Sequence, residues 1–155
     1  MPYFILAIGI VALDQLVKFF VRTQLPLYHT IEVLPGLLNL TYVQNTGAAF
    51  SLFEDSTLIL ALFSLVISVG IAVFMAVRPM PHRFGRFTTA LVLGGAVGNL
   101  IDRFFLGYVV DMFAFGFIDF PVFNVADISL VCGGILLCVY VMFFMEKDKA
   151  DEISQ

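Results

Sequence analysis

The stretch Thr57–Val77, TLILALFSLVISVGIAVFMAV, carries no charged side chain from end to end. A helix needs ~20 mostly apolar residues to cross the hydrocarbon core of a bilayer, and this run has that length. Three further stretches repeat the pattern at residues 3–21, 87–106 and 122–145. Each of the three contains ionisable residues, which inside a membrane mark function more often than solvation. The first could be mistaken for a secretory signal. However, Met1-Pro2-Tyr3 lacks a Lys/Arg-rich flank and Asp14 and Lys18 interrupt the apolar run, so it is expected to remain as a span. The reading is an all-α integral membrane protein with four transmembrane helices in a single polytopic domain over residues 1–155.

Composition agrees. Of 155 residues, 61% are apolar and 13% charged, against ~45–50% and ~25% in soluble domains. Mean hydropathy is +1.01. A soluble fold of this size could not hide so much apolar side chain, because surface outgrows volume in small domains. The formal net charge of −4 leaves no basic face for nucleic acid. Cys132 and Cys138 lie in one apolar run; six residues apart on a helix, they are ~9 Å apart along its axis, too far to bridge. They read as small core residues.

Orientation follows from Lys and Arg in the short loops. Residues 78–86 carry Arg78, Arg83 and Arg86, and the tail carries Lys147 and Lys149, whereas residues 23–56 and 107–121 carry none. Both termini and the loop 78–86 are therefore expected in the cytoplasm, with the two longer loops outside. In the first outer loop, Leu40-Thr41-Tyr42-Val43-Gln44 alternates apolar and polar residues, the pattern of a short strand. Pro35-Gly36 and Asn45-Thr46-Gly47 read as turns on either side. The second loop is rich in Phe and Val and is expected at headgroup depth.

That topology gathers the polar residues. Asp14 and Lys18 come late in the first span, Asn99, Asp102 and Arg103 late in the third, and Asn124 and Asp127 early in the fourth. Asp111 lies just beyond the third. At ~1.5 Å per residue, most fall in the outer half of the bilayer. Several have plainer readings. Asp14 and Lys18 are spaced for a private i, i+4 salt bridge. Asp102 and Arg103 read as an interfacial pair, with Arg103 reaching headgroups. Asn99 and Asn124 suit interhelical hydrogen bonds, and Gly94 and Gly98 close helix packing. Glu54, Asp55 and Asp119 read as solvated loop charges. His29 and His82 fall on opposite sides of the membrane, so a two-His metal site is not expected; no cofactor is expected either.

Asp111 and Asp127 resist the plain reading, because neither has a cation nearby in sequence. A carboxylate in apolar surroundings holds its proton more tightly, and two side by side share one proton near neutral pH. One can then take a proton from water while the other polarises a carbonyl.

At these residues the chain resembles bacterial lipoprotein signal peptidase (signal peptidase II). Its first three motifs are matched by Asp14-Gln15-Leu16-Val17-Lys18, by Asn45-Thr46-Gly47-Ala48-Ala49-Phe50-Ser51, and by Gly94 to Arg103, which reads GGAVGNLIDR. Val109-Val110-Asp111-Met112-Phe113 and Phe123-Asn124-Val125-Ala126-Asp127 resemble the last two. Phe often stands in the family where this chain has Met112. The resemblance implies an aspartic endopeptidase of the bacterial inner membrane with its site near the outer leaflet. Its substrates are prolipoproteins whose future N-terminal cysteine carries diacylglycerol, cut on the amino side of that cysteine. It further implies Asp111 and Asp127 as the catalytic pair, and Asn45, Asn99, Arg103 and Asn124 as residues that position substrate or the pair. Asp14, Lys18 and Gly47 would support them. A small extracytoplasmic β-cradle in the first outer loop, a short interfacial helix in the second, membrane-lipid contacts, a monomer and inhibition by globomycin complete what it implies.

Two other classes fit parts of the sequence. A small proton- or ion-coupled transporter also places Asp and Lys in spans, but its relay would cross the membrane. A non-catalytic tetraspan lipid-binding scaffold has no need of two unpaired aspartates at matched depth.

Overall fold

The computed structural model describes residues 1–47, 57–78 and 80–145. Glu54, Asp55, Ala48 to Ser51 of the second motif and the tail lysines lie outside the described residues. The elements run α1 (Pro2–Gln24), β1 (Thr30–Leu34), β2 (Leu38–Asn45), α2 (Thr57–Val77), α3 (Arg83–Leu106), β3 (Val109–Phe115) and α4 (Val125–Phe143). All four helices are long and apolar enough to cross a membrane. Compared with the expected spans, α1 and α3 reach further and α4 starts later, at Val125.

Local chemistry sets these bounds. Pro2 opens α1, where a missing N–H costs nothing. Leu25, extended before Pro26, closes it. His82 caps α3, its Nδ1 accepting the Phe84 N–H at 3.1 Å. Gly107 ends α3 at φ +79°, a left-handed conformation that glycine adopts without strain. Asn124 caps α4 through a reciprocal capping box with Asp127.

Burial runs opposite to hydropathy. The most apolar helix, α2, is the least buried, and the least apolar, α3, is the most buried. Lipid covers apolar faces as well as protein does, so helices meet instead through small and polar residues. Gly94, Gly95 and Gly98 line the meeting faces of α3. A Cβ on Gly94 would lie 2.8 Å from Ile10 Cβ in α1. One on Gly95 would strike the Ala126 carbonyl oxygen, and one on Gly98 would lie 2.7 Å from Asp14 Oδ2. The close packing expected of Gly94 and Gly98 is present, and Gly95 joins it. The two cysteines depart from expectation: both are exposed on α4, on a surface that lipid covers.

The strands form one antiparallel sheet in the order β1-β2-β3. It packs on the end of α1, where Val21, Leu25, Tyr42, Val110 and Met112 form a buried cluster. The strand expected around Leu40–Gln44 is β2, with Tyr42 on its buried face. The second outer loop differs from what the resemblance implied. No helix occurs among residues 107–124; that loop supplies β3 and an irregular return that bridges Phe123 to Phe113. Its β-branched and aromatic residues, Val109-Val110-Asp111-Met112-Phe113, favour pairing with β2 over a helical turn.

Candidate active site

The irregularity between β2 and β3 decides what faces Asp111. Leu40 pairs with Phe113, but Val43 pairs with Asp111. Two residues of β2, Thr41 and Tyr42, therefore oppose Met112 alone, as in a β-bulge. Without the extra residue Tyr42 would sit opposite Asp111 and Gln44 would share its face. With it, Asn45 does. Asn45 Nδ2 donates to Asp111 Oδ2 at 2.9 Å, and its own Oδ1 accepts the Gly47 N–H at 3.0 Å, closing the turn expected there.

Asn124 joins the two candidate carboxylates. Its Nδ2 donates to Asp111 Oδ1 at 2.6 Å, while its backbone N–H donates to Asp127 Oδ2 at 3.1 Å. Its Oδ1 accepts the Asp127 N–H at 2.9 Å. The helix cap of α4 is thus also the link between β3 and Asp127. The other Asp127 oxygen, Oδ1, accepts from Asn99 Nδ2 at 2.7 Å. Asn99 is oriented by Lys18 Nζ, 2.9 Å from its Oδ1, and by Asn124 Nδ2 at 3.1 Å. An amide whose oxygen meets two donors must turn its NH₂ toward the carboxylate.

A second layer holds this one. Lys18, 2% exposed, lies 2.8 Å from Asp14 Oδ2 and 3.0 Å from Asp102 Oδ2. Asp14 Oδ1 accepts the Ala126 N–H at 2.9 Å, tying α1 to the start of α4. Asp102 Oδ2 accepts the Val110 N–H at 2.9 Å, tying α3 to the residue before Asp111. The Asp14–Lys18 bridge exists, but it is not private. Asp102 does not serve as an interfacial partner of Arg103: it is buried and pairs across helices with Lys18.

Sequence reasoning gave no role to Gln15, whose Nε2 donates to Asp102 Oδ1 at 2.9 Å and to the Gly98 carbonyl at 3.1 Å. The signal for Asp102 was its spacing. Gly95, Asn99 and Asp102 recur at i, i+4, i+7, one helix face, and that face is the buried one.

Arg103 completes the set. Its Nη2 donates to the Gly47 carbonyl at 3.4 Å, and its buried Nε has no hydrogen-bond partner among the described residues. Arg103 feels the charge of both Asp127 and Asp111, so a guanidinium with a donor to spare stands within electrostatic reach of the carboxylates. Asp111, on β3 and 2% exposed, is pushed up to about 7, chiefly by burial and further by the Asp127 charge, against its two amide hydrogen bonds. Near neutral pH it therefore holds a proton for part of the time.

A cavity of about 570 Å³ opens beside Asp111, lined also by residues 43–47 and 119–122. Asp119, expected as a solvated charge, is exposed and stands at its rim. The arrangement is equipped for acid–base hydrolysis: two carboxyls coupled through Asn124, one of them titrating near neutrality, with open space beside them and a cation within electrostatic reach.

Residues 6–143 match the family model described as signal peptidase (SPase) II. A lipoprotein signal peptidase from Clostridioides difficile is 41% identical over 149 residues, covering 96% of this chain and 100% of that protein. One from Enterococcus faecalis is 37% identical, covering 97% and 92%. A bacterial membrane enzyme solved by the in meso method at 2.3 Å superposes with a TM-score of 0.86 at 30% identity, covering 97% of this chain and 90% of that one.

Proposed function

The chain belongs to the signal peptidase II family, and from that premise we propose how it works as a multi-pass membrane peptidase on bacterial prolipoproteins. The reaction is hydrolysis of the peptide bond on the amino side of a diacylglyceryl-modified cysteine. Asp111 and Asp127 are the catalytic pair, and the observation that carries this is their joint suspension from Asn124.

With one proton shared between them, the ionised carboxylate takes a proton from water as the water oxygen attacks the scissile carbonyl. The protonated carboxyl donates a hydrogen bond to the carbonyl oxygen, where negative charge develops. Collapse of the tetrahedral species breaks the C–N bond, and the proton gained from water passes to the departing cysteine nitrogen. The signal peptide leaves with a new carboxylate and the lipidated cysteine with a new amine. Arg103 and Asn45 hold substrate main chain, Asn99 and Asn124 orient the pair, and Asp14, Lys18 and Gly47 support them.

The charge pattern favours this over ion transport. In α1, α3 and α4 the charged residues at mid-span depth or beyond lie at the sheet end, and α2 has none, so no relay crosses the bundle. Both termini face the cytoplasm and the pair lies near the outer leaflet, in keeping with Arg78, Arg83 and Arg86. A substrate held by a transmembrane signal helix and a lipid anchor offers its scissile bond at that depth. The protein acts as a monomer, and globomycin occupies the same site. The test is incubation of the purified protein with diacylglyceryl-modified prolipoprotein. Release of the signal peptide, blocked by globomycin, is expected; an intact substrate overturns the reading.

A further inference from the structure

We propose that Asp119 selects among substrates by charge, favouring a basic and disfavouring an acidic residue just after the lipidated cysteine. The inference rests on the peptidase reading above and adds a specificity determinant to it. Among the described residues, the cavity beside Asp111 is lined by β2 and the turn after it, by β3 and by residues 119–122, and by no part of a membrane-spanning helix. The substrate's signal helix and its acyl chains both belong in the bilayer. The one portion that leaves the membrane is the chain following the cysteine, so it is the portion that fits a cavity whose described walls are the sheet and its return loop. About 570 Å³ is room for a short stretch of peptide.

The charges along that path are acidic among the described residues. Asp111 and Asp119 are the ionisable residues lining the cavity, and no lysine or arginine lines it among the described residues. Asp119 forms no hydrogen bond or ion pair with any described residue, so its charge is uncommitted. Arg103, the nearby cation, turns its Nη2 to the Gly47 carbonyl and serves the scissile bond. An exposed carboxylate acts weakly and through solvent, which sets the scale: a roughly fivefold preference at low salt, fading as salt screens it.

The experiment uses the full-length protein in detergent and three diacylglyceryl lipopeptides that differ only in the residue following the cysteine, Lys, Gln or Glu. The expected order of KM is Lys below Gln below Glu, with kcat shared and the spread shrinking at high salt. In Asp119→Asn the Lys-to-Glu ratio collapses toward one, and in Asp119→Lys it inverts. Glu32→Gln is the control: Glu32 on β1 accepts the Gly36 N–H at 2.8 Å and does not line the cavity, so the wild-type ratio persists. Equal KM values across the three peptides, or an undiminished ratio in Asp119→Asn, overturn the inference while leaving the peptidase intact. Failure to cleave any of the three overturns the peptidase reading itself.

Discussion

Asp111 and Asp127 each accept from two donors with two oxygens, so an asparagine at either position keeps one bond and turns an NH₂ toward a donor. It also cannot take a proton from water. Each single substitution is expected to abolish cleavage, and the double variant to be scarcely worse than either, because groups that act as one unit are lost as one unit. Turnover by a folded Asp127→Asn protein would sink the shared-proton mechanism. Stability carries a separate signature. The folded protein holds the Asp111 proton up to about pH 7, whereas the unfolded chain releases it near pH 4. Between those values the unfolded state binds fewer protons, so stability falls as pH rises. Asp111→Asn removes that loss, while the cost of its misplaced NH₂ is the same at every pH. Its thermal stability relative to wild type should therefore improve from pH 4 to pH 8, by on the order of 2–4 kcal/mol; a constant difference would remove Asp111 as a buried titrating group. Arg103→Lys is expected to fold yet lose most turnover, since an ammonium lacks the planar spread of donors that a guanidinium offers to peptide carbonyls. Unchanged turnover would return Arg103 to a headgroup anchor.

Among the elements, α3 shows how closely these helices meet. The Cβ of Gly95→Ala would strike a backbone carbonyl, that of Ala126, which cannot swing aside. The expected cost is about 1–3 kcal/mol, together with reduced cleavage, because Ala126 lies next to Asp127. Gly134→Ala meets nothing within 4 Å and should be neutral or slightly stabilising through helix propensity. Equal thermal shifts for the two would contradict the packing. The helices were legible because hydropathy over twenty residues is a long, redundant signal. The bulge was not: nothing in Leu40-Thr41-Tyr42-Val43 announces an extra residue, since register is set by pairing with a strand some seventy positions away. β1 was missed because its five residues are all exposed and show no buried face to read. The short helix carried over from the resemblance gave way to β3 because that segment finds a partner in β2. The candidate site was legible residue by residue, but its wiring was not. Gln15 and Asp102 acquire meaning only when α1 and α3 are side by side.

At the scale of the molecule, one end of the bundle carries the sheet and the acid–base groups, and the other carries Arg78, Arg83 and Arg86. Reporter fusions after residue 155 and within residues 37–44 are expected to report opposite sides of the membrane; the same side for both would undo the proposed orientation. The ion cluster bears on how the chain is made. Lys18 meets Asp14 one turn away on the same helix, at 2.8 Å, so these two charges can enter the bilayer already paired within α1. Asp102 has no such partner on α3; its counter-ion is Lys18. The ribosome delivers Lys18 first, so α3 meets an ammonium already in place, which Asp102 then shares with Asp14, and its carboxylate is spared hydrocarbon with no cation at hand. A rearranged gene that made α3 before α1 would send Asp102 into the membrane without Lys18, leaving it only the neighbouring Arg103 as a cation nearby.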